Sequence, residues 1–197
     1  MKRIGILVLV VMTLTAACKQ KAKPDPNAPK FISVNSIIEK QIAHIDTSLY
    51  SIIKVTGLDS LHYDTEFVHR ENFRKLATDF LNIPDLSDPD NAVLYKEETN
   101  YDTLLRRIFI TYTALNPAET EVYKQQLLVS QDLDSEGNNK VMTILINKAR
   151  KNRDGAFTQN LLWQMDRSFL VTTTTQAPGA PEVTNVTRVI WNDEKFR

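Results

Sequence analysis

From Ser33 onward the apolar positions fall at three- and four-residue steps: Val34, Ile38, Ile42, Ile45, Leu49 and Ile52. That spacing is one stripe of an α-helix. It predicts a helix capped by Ser36 with Glu39 three residues on, or equally by Ser33, and ended by Gly57. A second stripe of Phe73, Leu76, Ala77, Phe80 and Leu81 predicts another helix. It stops ahead of Pro84, because the residue before a proline avoids the helical region.

After the polar stretch 84–91 the period changes to two. Ile108, Ile110 and Tyr112 alternate with Phe109, Thr111 and Thr113. Turn signals recur at Asn116-Pro117, Ser135-Glu136-Gly137-Asn138, Arg153-Asp154-Gly155 and Pro178-Gly179. The runs between them are rich in Val, Ile, Thr and aromatics, and predict consecutive antiparallel hairpins. A strand around Val93–Thr99 is poorly marked.

Leu161, Trp163, Met165, Phe169 and Val171 share a parity, as do Val183, Val189 and Trp191 on the last run. A turn centred on Gly179 sets Phe169 opposite Val189 and Arg167 opposite Trp191. The second pair is either a cation–π contact or a plain solvated or salt-bridged arginine.

The predicted fold is therefore α+β: two N-terminal helices packed on a curved antiparallel meander of five or six strands. This element order resembles cystatin-like and nuclear-transport-factor-like folds, and the half-barrels of periplasmic lipoprotein carriers. The likeness is one of pattern over residues 31–197, and a shared pattern brings no function with it.

The first thirty residues read differently. Lys2 and Arg3 precede an apolar run from Ile4 to Leu14, about half of the ~20 residues that cross a bilayer as a helix. A basic start, a short apolar middle and small residues at the end describe a signal peptide. Its end, Leu14-Thr15-Ala16-Ala17-Cys18, resembles the lipobox of bacterial lipoproteins, although Thr15 stands where leucine is commoner and the leucine lies one place earlier. The resemblance implies cleavage after Ala17, diacylation of Cys18 on sulfur, and attachment to a membrane through that lipid. An ordinary secretory peptide with Thr15-Ala16-Ala17 as its cleavage site is the alternative.

Residues 19–30, KQKAKPDPNAPK, hold three prolines and four lysines with no large apolar residue. They read as a semi-extended tether. The organisation implied is signal peptide 1–17, anchored tether 18–30 and a single domain 31–197. Lys19 stands where many inner-membrane lipoproteins of Gram-negative cells have aspartate, which by the same resemblance favours the periplasmic face of the outer membrane.

Charge narrows the partners. The chain has 24 basic and 24 acidic side chains. Losing Lys2 and Arg3 with the signal leaves 22 against 24, a net charge of −2. Such a chain carries no basic field to bring it onto nucleic acid. Cys18 is the sole cysteine, so the domain beyond it has no disulfide and no thiol chemistry.

Candidate chemistry is sparse. His44, His62 and His69 show no ligand spacing and read as surface or capping residues. Asp132, Asp134, Glu136, Gly137 and Asn138 resemble the first half of a calcium-binding loop, but Lys140 holds its ninth place and Thr143 its twelfth. The same residues suit a hairpin turn, and the two readings stand side by side. Glu97 and Glu98 are adjacent, so on a strand they point to opposite faces and cannot share a proton. The threonine run 172–175 suits an exposed or edge strand.

The expectation is a non-enzymatic binding module without cofactor, acting on a protein or glycan partner of the cell envelope. The second reading is a carrier that holds an apolar ligand between sheet and helices, lined by Trp163, Met165, Phe169 and Trp191. Core packing explains those four residues more simply.

Overall fold

The computed structural model describes residues 30–57, 63–133, 137 and 139–192. Helix α1 spans Val34–Thr47, and Ser33 is its cap: the Ser36 N–H donates to the Ser33 hydroxyl at 3.1 Å. Val34, Ile38, Ile42 and Ile45 form its buried stripe.

The predicted continuation to Gly57 is wrong. Ser48 closes the helix by donating from its backbone to the Ile45 carbonyl, and Leu49 stands 96% exposed. Ile52–Gly57 is strand β1. Ile52, Ile53, Val55 and Thr56 are β-branched, which favours extended backbone. The helical phase of Leu49 and Ile52 was coincidence.

Strand β2, Tyr63–Val68, pairs antiparallel with β1, placing Ile53 opposite Phe67. The second predicted helix is two single turns, α2 (Phe73–Leu76) and α3 (Thr78–Leu81), parted at Ala77. The Thr78 hydroxyl donates to the Lys75 carbonyl at 2.7 Å, a local bond of the kind that competes with the helical ladder. The stripe survives the break: Phe73, Ala77 and Phe80 are all fully buried. A further turn, α4 (Pro89–Ala92), is capped by the Asp88 carboxylate.

Seven strands follow: β3 (Tyr95–Asp102), β4 (Arg107–Ala114), β5 (Val122–Leu133), β6 (Asn139–Asn152), β7 (Gly155–Gln164), β8 (Ser168–Gln176) and β9 (Val183–Ile190). Among the described residues all strands join one nine-stranded antiparallel sheet, in the order β2-β1-β9-β8-β7-β6-β5-β4-β3. This corrects the expected pair of helices on a five- or six-stranded meander. Strands β3 to β9 are a meander, but the β1–β2 hairpin extends it beyond β9. Residues 69–94 then carry the chain from the β2 edge to the β3 edge, packing their apolar side chains and those of α1 on one face of the sheet.

The β7–β8 turn was missed as well, since Met165-Asp166-Arg167 has no glycine or proline. Asp166 supplies the reversal at φ 58, a left-handed conformation aspartate tolerates better than most residues. A three-residue loop preserves parity, so Trp163 lies opposite Phe169 and both point inward. The expected register of the last hairpin is present: Phe169 faces Val189, and the Trp191 N–H donates to the Arg167 carbonyl at 3.1 Å.

Gly155 begins β7 at φ 138, where a Cβ would run into the Gln176 carbonyl oxygen of β8. Gly155→Ala combines backbone strain with a clash against main chain. The expected cost is about 2–3 kcal/mol, read as a lowered urea midpoint; an unchanged midpoint would show that β8 can yield.

The core centres on five rings. Trp163 stacks on Phe169 with centroids 5.1 Å apart, Phe80 meets Trp163 edge-on at 5.0 Å, and Phe73 meets Trp191 edge-on at 5.2 Å. Two tyrosines tie further segments in. The Tyr95 hydroxyl donates to the Val122 carbonyl at 2.7 Å, while that of Tyr112 accepts the Ile32 N–H at 3.1 Å. Burial pushes both phenols up to about 12.

Those shifts fix a pH dependence. Between 10 and 12 the folded protein keeps protons that unfolded tyrosines have lost, so their contribution is full below 10 and falls as pH rises. Lys148 acts oppositely, since burial pushes its ammonium below the ordinary 10.5; its charge disfavours folding until it deprotonates, and above 10.5 it adds nothing further. The urea midpoint is therefore expected to drop above pH 10.5, less steeply in Tyr95→Phe or Tyr112→Phe. A flat profile in the parent protein would contradict this.

Candidate ligand cleft

Beside the aromatic core lies a cleft of about 540 Å3 between α1 and the ends of β4, β5 and β6. Its helix wall is built by Ile37, Lys40 and Gln41, which are three and four residues apart and so share a flank next to the buried stripe. Ile108 and Ile110 enter from β4, sharing the inward parity of fully buried Tyr112. Val129 enters from β5.

A β-bulge supplies the next wall. Leu128 pairs with Thr143 but Val129 pairs with Val141, leaving Met142 as an extra residue in β6. The extra residue reverses the alternation. Ile144 and Ile146 hold the inner face further along, while Val141 turns inward opposite Val129. Ile32 ahead of α1, Asn139 and Lys140 at the start of β6, and Met165 and Asp166 from the β7–β8 turn also line it.

The helix wall is fixed to that turn by a reciprocal pair. Gln41 Nε2 donates to Asp166 Oδ1 at 2.8 Å, and the Asp166 N–H donates to Gln41 Oε1 at 2.9 Å. Asn192 Nδ2 donates to the Asp166 carbonyl at 3.0 Å, binding the turn to the chain beyond β9. Among the described residues, the titratable groups that line it are Lys40, Lys140 and Asp166. Both lysines are exposed, and neither forms an ion pair among the described residues.

Of the four residues expected to line a carrier cavity, Met165 does so. Trp163, Phe169 and Trp191 are core residues, 0–3% exposed, packed on Phe73 and Phe80. Another hollow, of about 500 Å3 beside β2, is lined mainly by polar and charged side chains and includes the Lys54–Glu66 ion pair at 2.6 Å.

The other sequence candidates do not converge on the cleft. Cys18, His62, Asp134 and Glu136 lie outside the described residues. Asp132 accepts from the Ser130 hydroxyl at 2.8 Å. His44 is exposed on α1, edge-on to Tyr50 at 6.2 Å, and His69 precedes a 3-10 turn. Glu98 pairs with Lys96 across one residue of β3 at 2.9 Å, which holds its carboxyl below the ordinary range. Lys148 Nζ donates to the Asp79 carbonyl at 3.0 Å, and Gln159 Nε2 to Asp79 Oδ2 at 3.0 Å. These bonds pin the α2–α3 segment to the sheet.

Compared with known proteins, the chain matches no family model, no curated protein and no solved structure.

Proposed function

We propose that this chain is a non-enzymatic, lipid-anchored protein of the cell envelope whose cleft binds and carries an apolar ligand. The observation behind the reading is the cleft itself: about 540 Å3 of space with aliphatic and thioether walls, beside a core whose aromatic rings fill their own volume. That size lies within the ~300–1,000 Å3 of small-molecule sites. The lipobox-like Leu14–Cys18 segment supports an anchor on Cys18, and Lys19 supports the periplasmic face of the outer membrane. With two or three acyl chains as anchor, the domain needs no apolar surface of its own to stay at the membrane.

A neutral apolar probe tests this. N-phenyl-1-naphthylamine, titrated into the mature chain carrying Cys18→Ser, is expected to brighten saturably at one site per chain. Fluorescence that rises without saturation would remove the basis for the carrier reading.

An envelope protein partner is the second reading, favoured by the free edge of β2. Tyr63 and Phe67 are 68% and 80% exposed on one face of that edge strand, a surface suited to strand addition. Phe67→Ser that left partner capture intact would set this reading aside.

A further inference from the structure

We propose that the cleft selects an anionic single-chain amphiphile, its alkyl chain along the aliphatic walls and its head group held by Lys40 and Lys140. The inference rests on the carrier reading and adds the chemistry of the head.

The cleft is not uniformly greasy. Ile37, Ile110, Val129 and Val141 present only hydrocarbon, whereas Lys40 on α1 and Lys140 at the start of β6 line it with long cationic side chains from two separate elements. Nothing among the described residues neutralises either one. Glu39, next to Lys40 in sequence, pairs with Arg74, while Asp166 accepts from the neutral Gln41 amide and keeps its charge. Among its described residues the lining carries two cations against one anion, in a chain that is net negative once residues 1–17 are removed.

A ligand of hydrocarbon alone would fill the walls and leave both cations as they are. A ligand with an anionic head gains charge-assisted hydrogen bonds at the mouth. A cationic head meets repulsion. At exposed lysines this gain is modest and weakened by salt, so it discriminates between heads while the walls supply most of the affinity.

The test displaces bound N-phenyl-1-naphthylamine from the Cys18→Ser chain with three amphiphiles of one chain length, below their micellar concentrations. These are laurate, its neutral glycerol monoester, and dodecyltrimethylammonium. At low salt laurate is expected to bind about fivefold more tightly than the ester, with the cationic compound weakest. In Lys40→Gln/Lys140→Gln the laurate-to-ester affinity ratio is expected to fall to about one. A urea midpoint equal to that of the parent chain shows that the variant is folded. Equal affinity for laurate and ester, or a preference that survives the double substitution, overturns the head-group assignment and leaves the carrier reading standing. Failure of the probe and all three amphiphiles to bind overturns both.

Discussion

Truncating Trp163 to alanine is expected to cost the fold about 3–5 kcal/mol, the range for removing a large aromatic from a packed interior. The indole is fully buried and touches four other rings, with centroids 5.0 Å from Phe80, 5.1 Å from Phe169, 5.4 Å from Trp191 and 6.3 Å from Phe73. Phe73 and Phe80 come from one-turn helices, and Trp163 and Phe169 from neighbouring strands of the sheet. Its loss opens a cavity at the join between the two layers. With total stability of ~5–15 kcal/mol typical of a domain, much of the protein's margin goes. Trp163→Phe is expected to cost far less, because the indole Nε1 has no hydrogen-bond acceptor to lose. Urea unfolding followed through Trp191 separates the two variants. A loss below about 1 kcal/mol for alanine would mean that the rings repack and the aromatic cluster is not the keystone described.

Filling the cleft should have the opposite profile. Ile110 is half-buried on β4 and points into the cleft, so Ile110→Trp puts an indole where the ligand's chain would lie. Stability is expected to change little, since the new ring enters open space and buries carbon against Val129 and Ile37. Probe affinity is expected to fall at least tenfold, about 1.4 kcal/mol. Together the variants separate two sets of apolar residues that composition cannot distinguish: one that holds the fold and one that lines a site. A stable Ile110→Trp protein with undiminished affinity would place the ligand elsewhere.

That separation is where sequence reasoning ran out. The strands from β4 onward were legible because turn residues such as Asn116-Pro117 and Gly155 punctuate a period of two. The pairing of Phe169 with Val189 followed from one glycine. Strand β1 was not, because Leu49 and Ile52 continue the helical phase of Ile42 and Ile45 by accident, and pairing with β2 and β9 decides for the extended form. Nor was the β7–β8 reversal, which rests on Asp166 alone. The tryptophans stand out in the sequence because they are large and share a parity, whereas the residues that line the cleft are mostly aliphatics and polar side chains with nothing to mark them. Ile37 is an apolar residue just off the helix stripe, the one local hint. The bulge that turns Val141 inward depends on register between two strands and has no signature in either.

The most direct measurement is native mass spectrometry of the Cys18→Ser chain and its Ile110→Trp variant isolated from the protein's own cells, beside an organic extract of the same samples. A single extra mass of apolar, anionic material per chain, absent from Ile110→Trp, is the expected result. A clean apo mass in both proteins, together with an extract free of stoichiometric amphiphile, would contradict the carrier account.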